Sequence, residues 1–155
     1  MPREVSIRKP LTIVMLVLVT GAIIAITVWM SGRSYSNLDP IPFDDIRYLI
    51  RRLSARPIST HILAVLVVPM IANVLLFVPW GFLTFIALYT VDRPTLQTYV
   101  LTILLGFSFT LGVEGWQYFL PGRVADINDI IWNTTGALLG AILGHLRERV
   151  RFEFA

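Results

Sequence analysis

The sequence predicts an all-α integral membrane protein with four transmembrane helices, and three observations support that fold class. Hydrophobic residues make up 55% of the 155 residues and charged residues only 15%, whereas soluble domains carry about 25% charged residues. The apolar residues are concentrated in four long stretches, at about 11–30, 62–89, 96–120 and 127–146. The length suits one domain, so we treat residues 1–155 as a single membrane domain.

The first stretch, LTIVMLVLVTGAIIAITVWM, carries no charge over residues 11–30. About 20 apolar residues are enough to span a bilayer. Because Arg3, Arg8 and Lys9 precede it, a signal peptide is the alternative. The stretch is longer than the roughly 7–15 residues of a signal-peptide core, and no clear A-x-A cleavage site follows. We therefore predict an uncleaved helix.

The polar segment after the first stretch contains a short amphipathic pattern. Phe43, Ile46, Ile50 and Leu53 recur at helical spacing, and the neighbouring Asp and Arg residues lie off that stripe. This pattern predicts a short interfacial helix on the membrane surface after helix one. A solvated helical loop is the alternative.

The second and third stretches each contain residues that are unusual in a membrane helix. Pro69 and Pro79 lie inside the second; each removes a backbone donor and bends a helix, which membrane helices tolerate when neighbours satisfy the freed carbonyls. Glu114 lies inside the third. A carboxylate in hydrocarbon costs several kcal/mol unless it is paired or neutralised, so Glu114 marks a candidate functional site.

Only PGRVAD, residues 121–126, separates the third stretch from the fourth, which predicts a tight antiparallel hairpin of helices three and four. Glu114 precedes the end of the third helix by six residues, and Asn133 follows the start of the fourth by six. At 1.5 Å per residue, both lie about 9 Å inside their helices. The hairpin is therefore expected to bring their side chains to a similar depth, below Arg123 in the turn.

One face of the fourth helix is polar at its start and glycine-rich further along. At about 100° per residue, six residues fall within an arc of roughly 80°: Asp126, Asp129, Asn133, Gly136, Gly140 and Gly144. The three glycines, spaced by four, form a small-residue stripe that lets another helix approach closely. We therefore assign them to helix packing.

These positions define a candidate polar cluster inside the membrane, to which Asn73 could contribute from the second helix. The candidate binding residues are Asn73, Glu114, Gln117, Arg123, Asp126, Asp129 and Asn133. Intramembrane ionisable groups indicate a functional site. The alternative is a structural or transport role in which the polar cluster is a latch that holds helices together, because interhelical hydrogen bonds are common in membrane proteins.

Several kinds of chemistry find little support in the sequence. The absence of cysteine excludes disulfides and thiolate metal sites, and basic residues beside the apolar spans explain the net charge of +3 better than nucleic-acid binding does. Glu114, Asp126 and Asp129 could offer oxygens to Mg²⁺ or Ca²⁺, and a metal-assisted enzyme acting on a lipid phosphate is an alternative. The complete CDP-alcohol phosphotransferase pattern is missing. We expect no metal and no cofactor, and a binding rather than an enzymatic role.

The polar residues also resemble the pattern of a known family. The segments NVLLFVPWGFLTF (73–85) and GFSFTLGVEGWQYFLPGRVADINDIIWNTTGALLGAIL (106–143) are similar to the VanZ-like family. The shared pattern is N-x-x-x-F-x-P-x-G, E-x-x-Q and G-R-x-x-D-x-x-D-x-x-x-N-x-x-G-x-x-x-G. In this chain its members are Asn73, Phe77, Pro79, Gly81, Glu114, Gln117, Gly122, Arg123, Asp126, Asp129, Asn133, Gly136 and Gly140.

The resemblance implies a multi-pass protein of a prokaryotic plasma membrane with a link to the cell envelope. The family is named for a membrane protein that lowers susceptibility to the glycopeptide teicoplanin, although antibiotic resistance itself is not transferred to this chain. We hypothesise that the polar cluster recognises a membrane lipid: an anionic or amphiphilic envelope lipid, a lipid-linked envelope precursor, or a lipophilic glycopeptide. The role would be envelope maintenance or glycopeptide tolerance. Arg123 would contact phosphate or carboxylate.

The basic tail HLRERVR, residues 145–151, favours cytoplasmic termini. Five arginines in the first loop oppose that orientation.

Overall fold

The structure, a computed structural model, describes residues 3–29, 38–55, 59–90, 92–120 and 124–153. These ranges contain five helices and two very short strands. In chain order they are α1 (Arg3–Trp29), β1 (Leu38–Asp39), α2 (Asp44–Ala55), α3 (Thr60–Leu88), α4 (Thr95–Tyr118), β2 (Ala125–Asp126) and α5 (Ile127–Glu153). The predicted all-helical class is confirmed, and so is a short helix after the first long one.

Within the described ranges, three helices are long and apolar enough to cross a membrane: Lys9–Thr27 of α1, Thr60–Leu88 and Thr95–Tyr118. Their outer surfaces expose large apolar side chains such as Val17, Leu75 and Leu96, as expected of helices with lipid as solvent. α5 is as long but not among the three, because its first turns carry polar residues. The four-span count is therefore not confirmed.

The glycine face of α5 lies directly against the backbone of α3. A Cβ atom at Gly140 would lie 2.1 Å from the carbonyl oxygen of Val78, and one at Gly136 would lie 2.3 Å from that of Val74. In return, Gly81 of α3 leaves room for the backbone of Ala137. Only glycine fits at such separations, so the two helices approach as closely as helices can.

α4 meets α5 through a different surface. A Cβ atom at Gly106 of α4 would lie 2.8 Å from the Cβ of Ala137, so this approach is less close than that of α3. The glycine stripe thus faces α3 and not the helix that precedes α5 in the chain. The predicted tight hairpin of α4 and α5 is not confirmed.

An aromatic core joins α1, α3 and α4. Phe77, Trp80 and Phe109 form a cluster with ring centroids 5.6–6.3 Å apart, beside the fully buried Ile23. The indole Nε1 of Trp80 donates a hydrogen bond of 3.1 Å to Thr20 Oγ1. Because a buried indole N–H needs a partner, this bond sets the register of α1 on α3.

The two strands pair in parallel, with Leu38 opposite Ala125 and Asp39 opposite Asp126. This pairing, which the sequence did not predict, ties the segment after α1 to the segment before α5. It places α2 at the same end of the helix bundle as the start of α5. The candidate site is built at that end.

Candidate functional site

The site begins where β2 runs into α5. Asp126 caps the helix, because its Oδ1 accepts a hydrogen bond of 2.7 Å from the backbone N–H of Asn128. The backbone N–H of Asp126 donates in turn to Oε2 of Glu114, at 2.9 Å. Glu114 is only 4% exposed, so this buried carboxylate of α4 holds the segment that leads into α5.

A second polar contact joins α3 to α5. Asn73 Nδ2 donates a hydrogen bond of 2.5 Å to Oδ1 of Asp129. The structure therefore brings Asn73 into the polar cluster from a third helix. This contact orients the Asp129 side chain.

A third contact lies one helical turn deeper. Asn133 Nδ2 donates to Thr110 Oγ1 at 2.8 Å, and Asn133 is only 2% exposed. Its Oδ1 has no hydrogen-bond partner in the described part of the chain. Thr110 and Glu114 are four residues apart on α4, so the buried face of α4 supplies both contacts to the α5 region.

None of the hydrogen bonds described above involves the Gln117 side chain. Gln117 is buried on the face of α4 that also carries Glu114. Arg123 lies outside the described residues, so its predicted contact with an anion stays a prediction.

Asn128, which the sequence analysis missed, joins α5 to α2. Its Oδ1 accepts a hydrogen bond of 2.6 Å from the backbone N–H of Phe43, and its Nδ2 donates to Oδ1 of Asp44 at 3.1 Å. Asn128 lies about 200° around the helix from Asp126, outside the polar arc, so the arc did not include it. Its position between Asp126 and Asp129, at the start of a helix, was the sequence feature that could have pointed to it.

Phe43 adopts an unusual backbone conformation beside Asn128. Its φ is +59°, a left-handed value that costs a bulky residue of order 1–3 kcal/mol. The hydrogen bond to Asn128 and the edge-to-face contact of its ring with Trp132, at 6.1 Å between centroids, hold it there. Such strain persists only where the surroundings over-determine it.

A cavity of about 270 Å³ lies between α2, α3 and α5. One wall is polar and the rest is apolar. The polar wall consists of Asp126, Asn128 and Asp129, and the apolar lining of Phe43, Ile46, Leu49, Leu66, Val67, Pro69, Met70 and Trp132. Asn73 and Glu114 are not among the lining residues, but their hydrogen bonds to Asp129 and to the Asp126 backbone support the polar wall from behind.

The polar wall can accept hydrogen bonds from hydroxyl or ammonium groups, because ionised carboxylates are acceptors with several lone pairs. In the described ranges no three His, Asp or Glu side chains come close enough together to hold a metal ion. The cavity places these acceptors beside an apolar lining, an arrangement that can bind a polar group next to an apolar one.

Comparison with known proteins agrees with the resemblance seen in the sequence. The VanZ/LLP1 family model matches residues 11–148, which include every described helix in whole or in part. No curated protein and no solved structure matches the chain. Because the family model covers far more than half of the sequence, the chain belongs to the VanZ/LLP1 family.

Proposed function

We propose that this multi-pass membrane protein recognises an anionic or amphiphilic lipid of the cell envelope in the cavity between α2, α3 and α5. The observation that carries the proposal is the division of the cavity into one polar wall and an otherwise apolar lining. Ligand sites commonly combine apolar lining with a few convergent polar groups. An amphiphilic lipid is divided in the same way, into a polar headgroup and apolar chains.

The size of the cavity limits what it can hold. Drug-sized ligands occupy pockets of roughly 300–1,000 Å³, whereas this cavity measures about 270 Å³. It suits the junction between a headgroup and its lipid chain, with the rest of the molecule outside. A lipid-linked precursor or a lipophilic glycopeptide would therefore insert only its lipid-proximal part.

Each side of the cavity has a role in this proposal. Asp126 and Asp129 accept hydrogen bonds from hydroxyls or an amine of the headgroup, and Asn128 fixes the edge formed by α2. Leu66 and Met70 of α3 lie against the first part of the acyl chain. The sequence adds Arg123, three residues before Asp126, as the candidate partner of a phosphate.

We also propose that α5 is a fourth membrane-spanning helix. Its polar residues Asn128 and Asn133 are buried, while its exposed positions from 134 to 146 are apolar, among them Leu139, Leu143 and Leu146. A mean hydropathy over the whole helix does not distinguish these two faces. A helix with this outer surface satisfies the requirement for a lipid-facing span. The location would be a prokaryotic plasma membrane.

A second candidate function is a structural latch, and it too has specific support. The bonds from Asn73 to Asp129, from Asp126 to Glu114 and from Asn133 to Thr110 each join two different elements. Interhelical hydrogen bonds in membranes are worth about 0.6 kcal/mol on average. A latch would need these bonds but would not need the cavity.

The two functions are distinguished by filling the cavity without touching its polar wall. Val67 lines the cavity, whereas its neighbour Val68 is 60% exposed on the outer surface of α3. We would purify the wild-type protein, Val67→Phe and Val68→Phe after exposure to a bacterial lipid extract, and measure bound lipids by native mass spectrometry. The Asp129→Asn variant tests the polar wall.

A defined lipid that stays bound to wild type and Val68→Phe, and is lost from Val67→Phe and Asp129→Asn, would support recognition in the cavity. The mass of that lipid would identify its class. Identical bound lipids on all four proteins would reject the proposal and leave the latch.

A further inference from the structure

The outer side of α2 is basic. From Ile46 onward the helix reads IRYLIRRLSA, with three arginines and no acidic residue. Arg47, Arg51 and Arg52 are all exposed. The acidic residues of α2 are confined to its first turn, where Asp44 accepts a hydrogen bond from Asn128. The rest of the helix therefore presents positive charge outward.

These arginines retain unused hydrogen-bond donors. The guanidinium of Arg47 binds the carbonyls of Pro42 and Phe43 and closes the turn before α2. Arg52 lies over the ring of Tyr48, 5.3 Å from its centroid, and donates to its hydroxyl. The side chain of Arg51 forms no hydrogen bond or ion pair with the described part of the chain. Since a guanidinium carries five N–H donors, Arg51 and Arg52 can both bind a phosphate.

Apolar side chains are exposed beside this charge. Ile50 is 57% exposed, and Leu38, Ile41 and Phe43 at the start of the same segment are also exposed. A short helix with exposed arginines and exposed large apolar residues is typical of a membrane interface. Arginines near a membrane surface are attracted to anionic headgroups.

We infer that α2 is a docking surface for anionic phospholipids, in which Arg51 and Arg52 bind headgroup phosphates while Ile50 enters the acyl-chain region. The inference requires only that the protein lies in a membrane, and it does not depend on what occupies the cavity. Its consequence does concern the cavity. Ile46 and Leu49 on the inner side of α2 line it, so an anionic leaflet would hold this wall in place.

A fluorescent label at position 50 tests the inference in the full-length protein. Because the chain has no cysteine, bimane attached to Ile50→Cys would be the single label. The protein would be reconstituted in vesicles of phosphatidylcholine alone, or of phosphatidylcholine and phosphatidylglycerol in equal amounts. We would measure quenching by acrylamide from water and by nitroxide-bearing lipids from the bilayer.

We expect phosphatidylglycerol to protect the label from acrylamide and to increase its quenching by the nitroxide lipids. In the Arg51→Gln/Arg52→Gln background, this effect of phosphatidylglycerol should disappear. Each arginine near an anionic surface contributes about a fivefold gain, so removing two should lower the ratio of bilayer-seated to water-exposed label roughly thirtyfold. Arg51→Lys/Arg52→Lys, which keeps the charge, should retain most of the effect.

The matched control is Arg147→Gln/Arg149→Gln, which removes the same charge from the exposed end of α5. It should behave as wild type. Equal quenching in both kinds of vesicle, or equal behaviour of the α2 and α5 double variants, would overturn the inference. Lipid-independent exposure of the label would identify α2 as a solvated surface helix.

Discussion

Residues 127–144 of α5 consist of a polar half, 127–135, and a glycine half, 136–144, which are held to the rest of the protein in different ways. The polar half uses polar side chains, with Asn128 bound to α2, Asp129 to α3 and Asn133 to α4. In the glycine half, Gly136 and Gly140 lie against backbone atoms of α3. The polar half therefore depends on hydrogen-bond partners in other elements. The glycine half depends on the lack of side chains, which lets the backbone of α3 come close.

This difference determines how strongly a substitution in each half destabilises the protein. A polar contact can be weakened gradually, because a side chain can rotate or be replaced by another acceptor. A contact between two backbones cannot adjust, because moving one helix disturbs every residue along it. Adding one methyl group in the glycine half should therefore lower the free energy of unfolding more than removing a whole polar side chain from the polar half.

The largest expected effect comes from Gly140→Ala. The new Cβ would lie 2.1 Å from the carbonyl oxygen of Val78 and 2.6 Å from the backbone nitrogen of Phe82, so α3 and α5 must separate. We expect a loss of about 3 kcal/mol or more in the free energy of unfolding, measured by denaturant titration in mixed micelles. Gly112→Ala, whose Cβ meets nothing within 4 Å, is the control. Equal stability of Gly140→Ala and Gly112→Ala would contradict the view that the glycine half depends on close backbone contact.

A smaller effect is expected from Asn128→Ala in the polar half. The substitution removes the hydrogen-bond acceptor of the Phe43 backbone N–H and one hydrogen bond to the Asp44 carboxylate, which costs about 1–3 kcal/mol. Hydrogen exchange should accelerate at the Phe43 amide and along α2, and should stay unchanged in α4. The exposed Gln97→Ala provides the control. Unaltered exchange at Phe43 would show that α2 is held by something else.

The pair Thr110 and Asn133 should show an intermediate coupling. A double-mutant cycle with Thr110→Val and Asn133→Ala is expected to give about 0.6 kcal/mol and at most about 1.7 kcal/mol, the range of such bonds in membranes. Thr102 serves as the reference, because its hydroxyl bonds to Thr98 of its own helix. Coupling of the same size between Thr102→Val and Asn133→Ala would show that the measured coupling does not come from the hydrogen bond between Asn133 and Thr110.

The smallest effect is expected at Thr135, a polar residue in the same half of α5. Its hydroxyl donates to the carbonyl of Ile131, within its own helix, at 2.8 Å. Thr135→Val should therefore change the free energy of unfolding by no more than about 0.5 kcal/mol. A loss as large as that of Asn128→Ala would mean that polar residues of α5 matter regardless of their partner.

The sequence predicts those features that depend on periodicity alone. Apolar length indicates the long helices, and the spacing of Ile46, Ile50 and Leu53 indicates α2, which begins one residue after Phe43. The same spacing groups Asp129, Asn133 and Gly140 on one face of α5. Each of these features is a property of residues close together in the chain, so it can be read without knowing the neighbours.

The sequence does not predict which element each face meets. The glycine face of α5 meets α3, a partner helix that the spacing of the glycines does not specify. Asn128 finds its partners 84 and 85 residues away, and the pairing of β1 with β2 rests on two residues in each strand. The cavity could not be foreseen either, because most of its apolar lining comes from α2 and α3, which are distant in the chain from its polar wall.

The pairing of β1 with β2 has a consequence for how the protein is made. Leu38 and Asp39 leave the ribosome long before Ala125 and Asp126, to which they are hydrogen-bonded in the finished protein. Contacts between such distant parts of a chain form late. The cavity therefore cannot exist on a nascent chain that lacks α5, and a chain truncated before Ala125 would keep its first three long helices without ever assembling the site.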